Sequence, residues 1–166
     1  MTPRLGDQLP SKFREEFWKR KLIRGAVLRA WMEETVPPKF KLFVVWGIEE
    51  SLNKIGVSFI NREITSIKTP WLQSLQHPLL LNNNSFLTHD SFLDCSWIYE
   101  KDLKKVRDLL MEDTEIFLGD ISYEDLSTAE QIIQNATTIE TKFKKRYGFV
   151  WNFLNGMNGG RTKPSR

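Results

Sequence analysis

The chain has 166 residues, of which 40% are hydrophobic and 12% aromatic, enough for one domain with a real core and too few for two ordinary ones. Its single cysteine, Cys95, excludes an internal disulfide framework, and its longest apolar run, residues 42–48, is far too short to cross a bilayer. The net charge of +3 conceals a division: residues 1–29 hold eight Lys or Arg against three acids, residues 142–166 hold seven against none, and the stretch between holds nine against eighteen.

A chain of this kind, with no apolar N-terminal stretch of signal-peptide length, is expected to be soluble and cytoplasmic, with Cys95 acting as a small buried hydrophobe. Its basic ends can hold a nucleic-acid backbone by neutralising phosphates, pair with acidic surface on the same fold or a partner, or simply face water.

Residues 1–10 read as a flexible lead-in. Ser11 stands where a helix N-cap belongs, and Phe13, Phe17 and Leu22 recur at near-helical spacing, predicting a short basic helix over 12–23 that packs outside the main core. Gly25 breaks it, and residues 26–32 read as the first strand. Residues 33–40 form a loop because Pro37 and Pro38 lack amide donors and fix their own dihedral angles.

The run KLFVVWGI, residues 41–48, marks a strand buried on both faces. Asn53 and Lys54 make a turn before a strand over 55–60. Residues 61–76 read as a loop with a helical turn at 71–75, followed by a strand over 78–81, a turn at Asn82 to Asn84, and one or two more strands within 85–99.

Two helices follow. Residues 101–111 place Leu103, Val106, Leu109 and Leu110 on one face. Ser122 offers a hydroxyl cap with Asp125 three residues on, close to a capping box, before Leu126, Ala129, Ile132, Ile133 and Ala136 repeat at helical spacing. Residues 141–147 add a last basic helical turn, and residues 155–166 read as a disordered tail.

His89 beside Asp90 is one place where acid–base chemistry can sit, although neighbours on a strand point to opposite faces and need not touch. With His77 and His89 the only histidines and no second cysteine, no metal site and no cofactor is expected. Trp31, Trp46, Trp71 and Trp97 can stack on unpaired bases or fill the core, and Lys39, Lys41 and Arg62 can follow a backbone.

The order of these elements resembles the PemK/MazF-like toxins over roughly residues 24–140: a first strand opening at Gly25, a Pro-containing loop, KLFVVW, a strand ending at Ile60 and Asn61, then FLTHDSFLDCS and LGDISYEDLSTAEQII. The resemblance implies an α+β fold, a small SH3-like β-barrel with C-terminal helices; the N-terminal basic helical extension over 1–23 and the basic C-terminal tail over 141–166 lie outside it.

It implies action on RNA or binding to it, with mRNA cleavage by transphosphorylation in the members that cleave. It also implies an antitoxin segment in the same groove and a homodimer. The family arginine falls at or near Lys39 or Lys41, and its Thr or Ser near Asn61; Thr65 and Ser66 offer a literal pair slightly downstream. The expected catalytic set is Lys39, Asn61, His89 and Asp90, with Lys41, Arg62 and Trp46 binding nucleic acid. The alternative is a non-enzymatic interaction module that kept the barrel and lost the catalytic pair.

Overall fold

The computed structural model describes residues 10–33 and 35–150. The lead-in up to residue 9 and the tail over 155–166 lie outside the described residues. The architecture is α+β, a curled antiparallel half-barrel sheet with helices packed on it.

The first helix, α1 (Ser11–Lys21), leads into β1 (Ala26–Met32), β2 (Lys39–Glu49) and β3 (Lys54–Asn61), which form a meander. The prolines keep 35–38 out of the sheet, and Asn53 takes the left-handed φ of 51° that closes the β2–β3 turn. A short α2 (Pro70–Gln73) precedes β4 (Gln76–Leu79), β5 (Ser91–Asp94) and β6 (Tyr99–Asp102). Then come α3 (Leu103–Glu112), β7 (Phe117–Asp120), α4 (Tyr123–Asn135) and α5 (Thr141–Arg146). Neighbouring strands run β4-β5-β3-β2-β1-β7, and β6 pairs with the first half of β3.

Strand periodicity explains the two-sided core. Val27 lies opposite Val44, and Leu28 opposite Phe43. On one face Leu28, Phe43, Val45, Ile55 and Val57 bury against Leu103, Val106 and Leu110 of α3 and against Trp18 and Leu22. On the other, Val27, Val44, Trp46 and Ile60 bury against Ala129 and Ile133 of α4 and against Tyr147 and Phe149. KLFVVWGI is apolar throughout because both of its faces are covered. Segments 1–23 and 141–166 therefore each lend residues to the core within their described parts.

Some elements differ from the sequence expectation. Pro10, not Ser11, is the N-cap residue of α1 and makes no side-chain cap bond. Phe13 and Phe17 stay exposed while Trp18 and Leu22, four residues apart, face the sheet. β4 starts at Gln76 and admits Pro78 because it is the outermost strand. Leu109 is exposed, unlike Leu103, Val106 and Leu110. The four-residue β7, pairing Ala26 with Asp120, is a strand that the sequence does not predict.

Tyr147 lies over Gly47 and Gly56, and its hydroxyl donates to Glu100 Oε1 at 2.8 Å. A Cβ at Gly56 would stand 2.8 Å from Cε1, Cε2 and Cζ of that buried ring. Gly56→Ala is expected to destabilise the fold by about 1–3 kcal/mol by overpacking, seen as a lower urea midpoint. Tyr147→Leu in the same chain should make the added methyl less costly; a midpoint unmoved by Gly56→Ala alone would contradict the close packing.

Candidate functional site

The β1–β2 pairing sets what shares a face. Arg29 lies opposite Leu42 and Trp31 opposite Phe40, on the side of Val27 and Val44; Lys41 lies opposite Ala30 and Lys39 opposite Met32, on the other. Where the sheet curls at this end, an open cleft of about 610 Å³ forms between it and the 86–91 segment. Arg29, Lys39, Lys41 and Arg62 line it with His89, over an apolar floor that includes Phe40, Leu42, Ile60 and Phe86. Among the described residues no aspartate or glutamate lines it.

Among the described residues no carboxylate forms an ion pair with Arg29, Lys39 or Arg62. The Arg29 guanidinium sits 4.5 Å over the Phe40 ring, which holds it at the cleft wall without neutralising it. Cations gathered in this way without a carboxylate beside them make a local field that favours an anion.

Lys41 belongs to this wall by its backbone position, but its ammonium is on the opposite face. Nζ donates to Asn61 Oδ1 and lies 5.6 Å over the Phe59 ring. Burial first, and the neighbouring Lys39 second, pull its pKa below the usual lysine value, against an opposing pull from Asp94. Asn61 is thus a partner of Lys41 and does not line the cleft.

His89 and Asp90 do not form a dyad. The His89 Nδ1 faces Ser91 Oγ at 3.0 Å and the Asp90 carbonyl at 3.1 Å, whereas Asp90 Oδ1 accepts from the Leu81 amide at 2.8 Å and holds the turn at 81–83. The His89 Nε2 has no hydrogen-bond partner among the described residues. Trp46 is a core residue, not a nucleic-acid ligand: it is 1% exposed, donates from Nε1 to Ser58 Oγ at 2.8 Å, and packs edge-on against Phe149. Trp31 and Trp71 are about half exposed, and Trp97 packs toward Phe143. Thr65 reaches Glu63 and is not part of the cleft wall.

Sequence reasoning misses Arg29, although a charge inside the apolar strand AVLRAWM marks the position where cover by the core ends. It also misses a polar network that ties β4 and the turn after it to the start of α4. Asp125 Oδ2 accepts from Asn84 Nδ2 and from Ser122 Oγ, each at 2.7 Å, and its Oδ1 lies 2.8 Å from His77 Nε2. Burial pushes the Asp125 carboxyl up, but the bonds from Asn84, Ser122 and His77 outweigh it and leave its pKa below the ordinary aspartate value. The Ser122 amide donates to Asn84 Oδ1, so only one half of a capping box forms.

The described basic ends pair with the acidic body: Arg24 with Glu130 at 2.7 Å, and Arg146 with Glu100. Cys95 is buried and its thiol pushed up to about 12 by burial, so it remains protonated at neutral pH. Among the described residues no group of three His, Cys, Asp or Glu side chains is placed to hold a metal ion, and no helix is long and apolar enough to cross a membrane. No protein-family model matches the chain, and no curated protein matches it in sequence.

Proposed function

We propose that this chain is a PemK/MazF-like protein of toxin–antitoxin type, built on an SH3-like barrel, whose cleft holds the backbone of single-stranded RNA. The observation that carries the reading is the cleft itself: Arg29, Lys39 and Arg62 with His89, an apolar floor and no carboxylate among the described lining residues. Phosphate contacts of this kind supply affinity by counterion release, and an aromatic floor tolerates any base.

The chemistry open to this set is transphosphorylation. His89 Nε2 takes the proton of a ribose 2′-hydroxyl as that oxygen attacks the adjacent phosphorus; the bond to the 5′ oxygen breaks, and that oxygen leaves with a proton. The products are a 2′,3′-cyclic phosphate and a 5′-hydroxyl. Arg29 and Arg62 stabilise the charge that gathers on phosphate. Drawn from the resemblance, the same reading includes an antitoxin segment over the cleft, a homodimer, a cytoplasmic site of action and no cofactor.

A second reading, RNA held without being cut, is favoured by two engagements. Lys41 and Asn61 are bonded to each other, and the Asp90 carboxylate is committed to a turn. Fluorescence anisotropy with a labelled single-stranded RNA separates these cases. Arg29→Ala with Arg62→Ala is expected to weaken binding about tenfold or more near physiological salt, and to flatten the plot of log affinity against log salt by about 0.7 for each phosphate no longer neutralised. His89→Ala should spare binding and abolish the cyclic-phosphate product. Absence of binding by the native chain would sink the proposal; binding with the RNA left intact would select the second reading.

A further inference from the structure

The geometry points to Trp31 and Phe40 as a stacking platform that takes one unpaired RNA base just outside the cleft. This inference rests on the RNA reading above and adds to it the place where a base, as distinct from a phosphate, is bound.

Trp31 and Phe40 are cross-strand partners on β1 and β2, with ring centroids 5.1 Å apart and ring planes at 73°. They are 51% and 54% exposed, whereas Ala30 and Met32 on either side of Trp31 are buried. Two large rings held side by side in water form an apolar surface that no element of the described fold covers. Phe40 is also held on one side: Arg29, two residues from Trp31 on the same face, stacks its guanidinium on the Phe40 ring. An aromatic pair braced in this way costs less further ordering when a flat ligand arrives.

Charge decides which part of a nucleotide goes where. Arg29 and Phe40 line the cleft on one side and a second hollow of about 560 Å³ on the other, and Trp31 lines only the second. No carboxylate lines the described cleft, but in the hollow Glu33, Asp102 and Asp113 stand against Arg29, Lys101 and Lys105, so its charges balance. Phosphates are therefore favoured along Arg29 and Arg62, where the cations stand without acids, over the hollow, where the charges cancel. Same-face neighbours on a strand lie roughly 7 Å apart, so a base attached to the ribose beside an Arg29-bound phosphate can reach the Trp31 ring. A protein segment would fill the hollow through its apolar side chains and would not depend on a base.

The test compares a short single-stranded RNA with a strand of equal length and charge in which the bases are replaced by abasic spacers, using the full chain. Trp31→Leu is expected to weaken binding of the intact RNA by about fivefold or more, the low end for one stacked base, while leaving the abasic strand and the salt dependence unchanged. Trp31→Phe should restore most of the loss. A 2-aminopurine in the RNA should be quenched on binding by the native chain and less so by Trp31→Leu. Equal weakening of both strands, or no change in either, would overturn the platform while leaving the phosphate cleft in place. Failure of the native chain to bind either strand would instead overturn the RNA reading on which the platform rests. The urea midpoint of each variant controls for folding, and Phe40→Leu provides a second, independent removal of the platform.

Discussion

Replacing Trp46 by alanine is expected to cost about 3–5 kcal/mol of folding stability, the range for removing a large buried aromatic side chain. The ring is 1% exposed, its Nε1 donates to Ser58 Oγ at 2.8 Å, and it meets Phe149 at a centroid distance of 5.4 Å. Deleting it opens a cavity where β2, β3 and the segment after α5 converge, and deprives Ser58 Oγ of a donor. Ser58 itself donates to the Trp97 carbonyl at 2.8 Å, so the loss propagates to the loop before β6. Urea unfolding followed by circular dichroism measures the effect. Where enough protein stays folded, its affinity for RNA should match that of the native chain, because Trp46 has no face open to a ligand. A mild stability loss accompanied by lost RNA affinity would reverse the assignment.

Asp125→Asn is expected to cost about 2–4 kcal/mol at neutral pH. The carboxylate receives Asn84, Ser122 and His77, which come from the turn after β4, the start of α4 and β4 itself. An amide of the same size turns one acceptor oxygen into a donor that faces other donors, and it removes a negative charge from the first turn of α4. The pH dependence has a definite sign. The folded-state pKa of Asp125 lies below the ordinary aspartate value of 3.8, so its stabilising contribution is fully present above the unfolded value. It fades as pH falls through that value and is lost once pH drops below the folded one. The stability difference between the native chain and Asp125→Asn should therefore be largest near neutrality and shrink in acid below about pH 4. A difference that stayed constant through that range would show that the carboxylate's charge is not what the network uses.

Much of the frame could be read directly from residue order. β1 falls where AVLRAWM begins and ends, the two-sided burial of β2 follows from an unbroken apolar run, and Ser122 caps α4 through the Asp125 amide. These features depend on local dihedral preference and on side-chain period, both of which are written into neighbouring residues. The cleft was legible in part: Lys39, Arg62 and His89 could be named as cations and a base and line it, whereas Lys41 turns its ammonium to the opposite face and Asn61 and Asp90 do not line it.

What each of those side chains faces was decided only when the chain folded. Period two puts Trp31 and Val27 on one face of β1, yet α4 and Phe149 cover that face at Val27 and nothing described covers it at Trp31; hence Trp46 is core and Trp31 is surface. Asp125 meets His77 from 48 residues away, and Asp90 turns to Leu81 instead of to its neighbour His89. Arg29 becomes part of a cationic wall because β3 and the 86–91 segment bring Arg62 and His89 to it. Residue order alone was enough to mark most strands and helices and the side chains that share a face. Which of those faces are covered, and by what, followed only from the folded arrangement, because burial and ion pairing depend on contacts between residues that are distant along the chain.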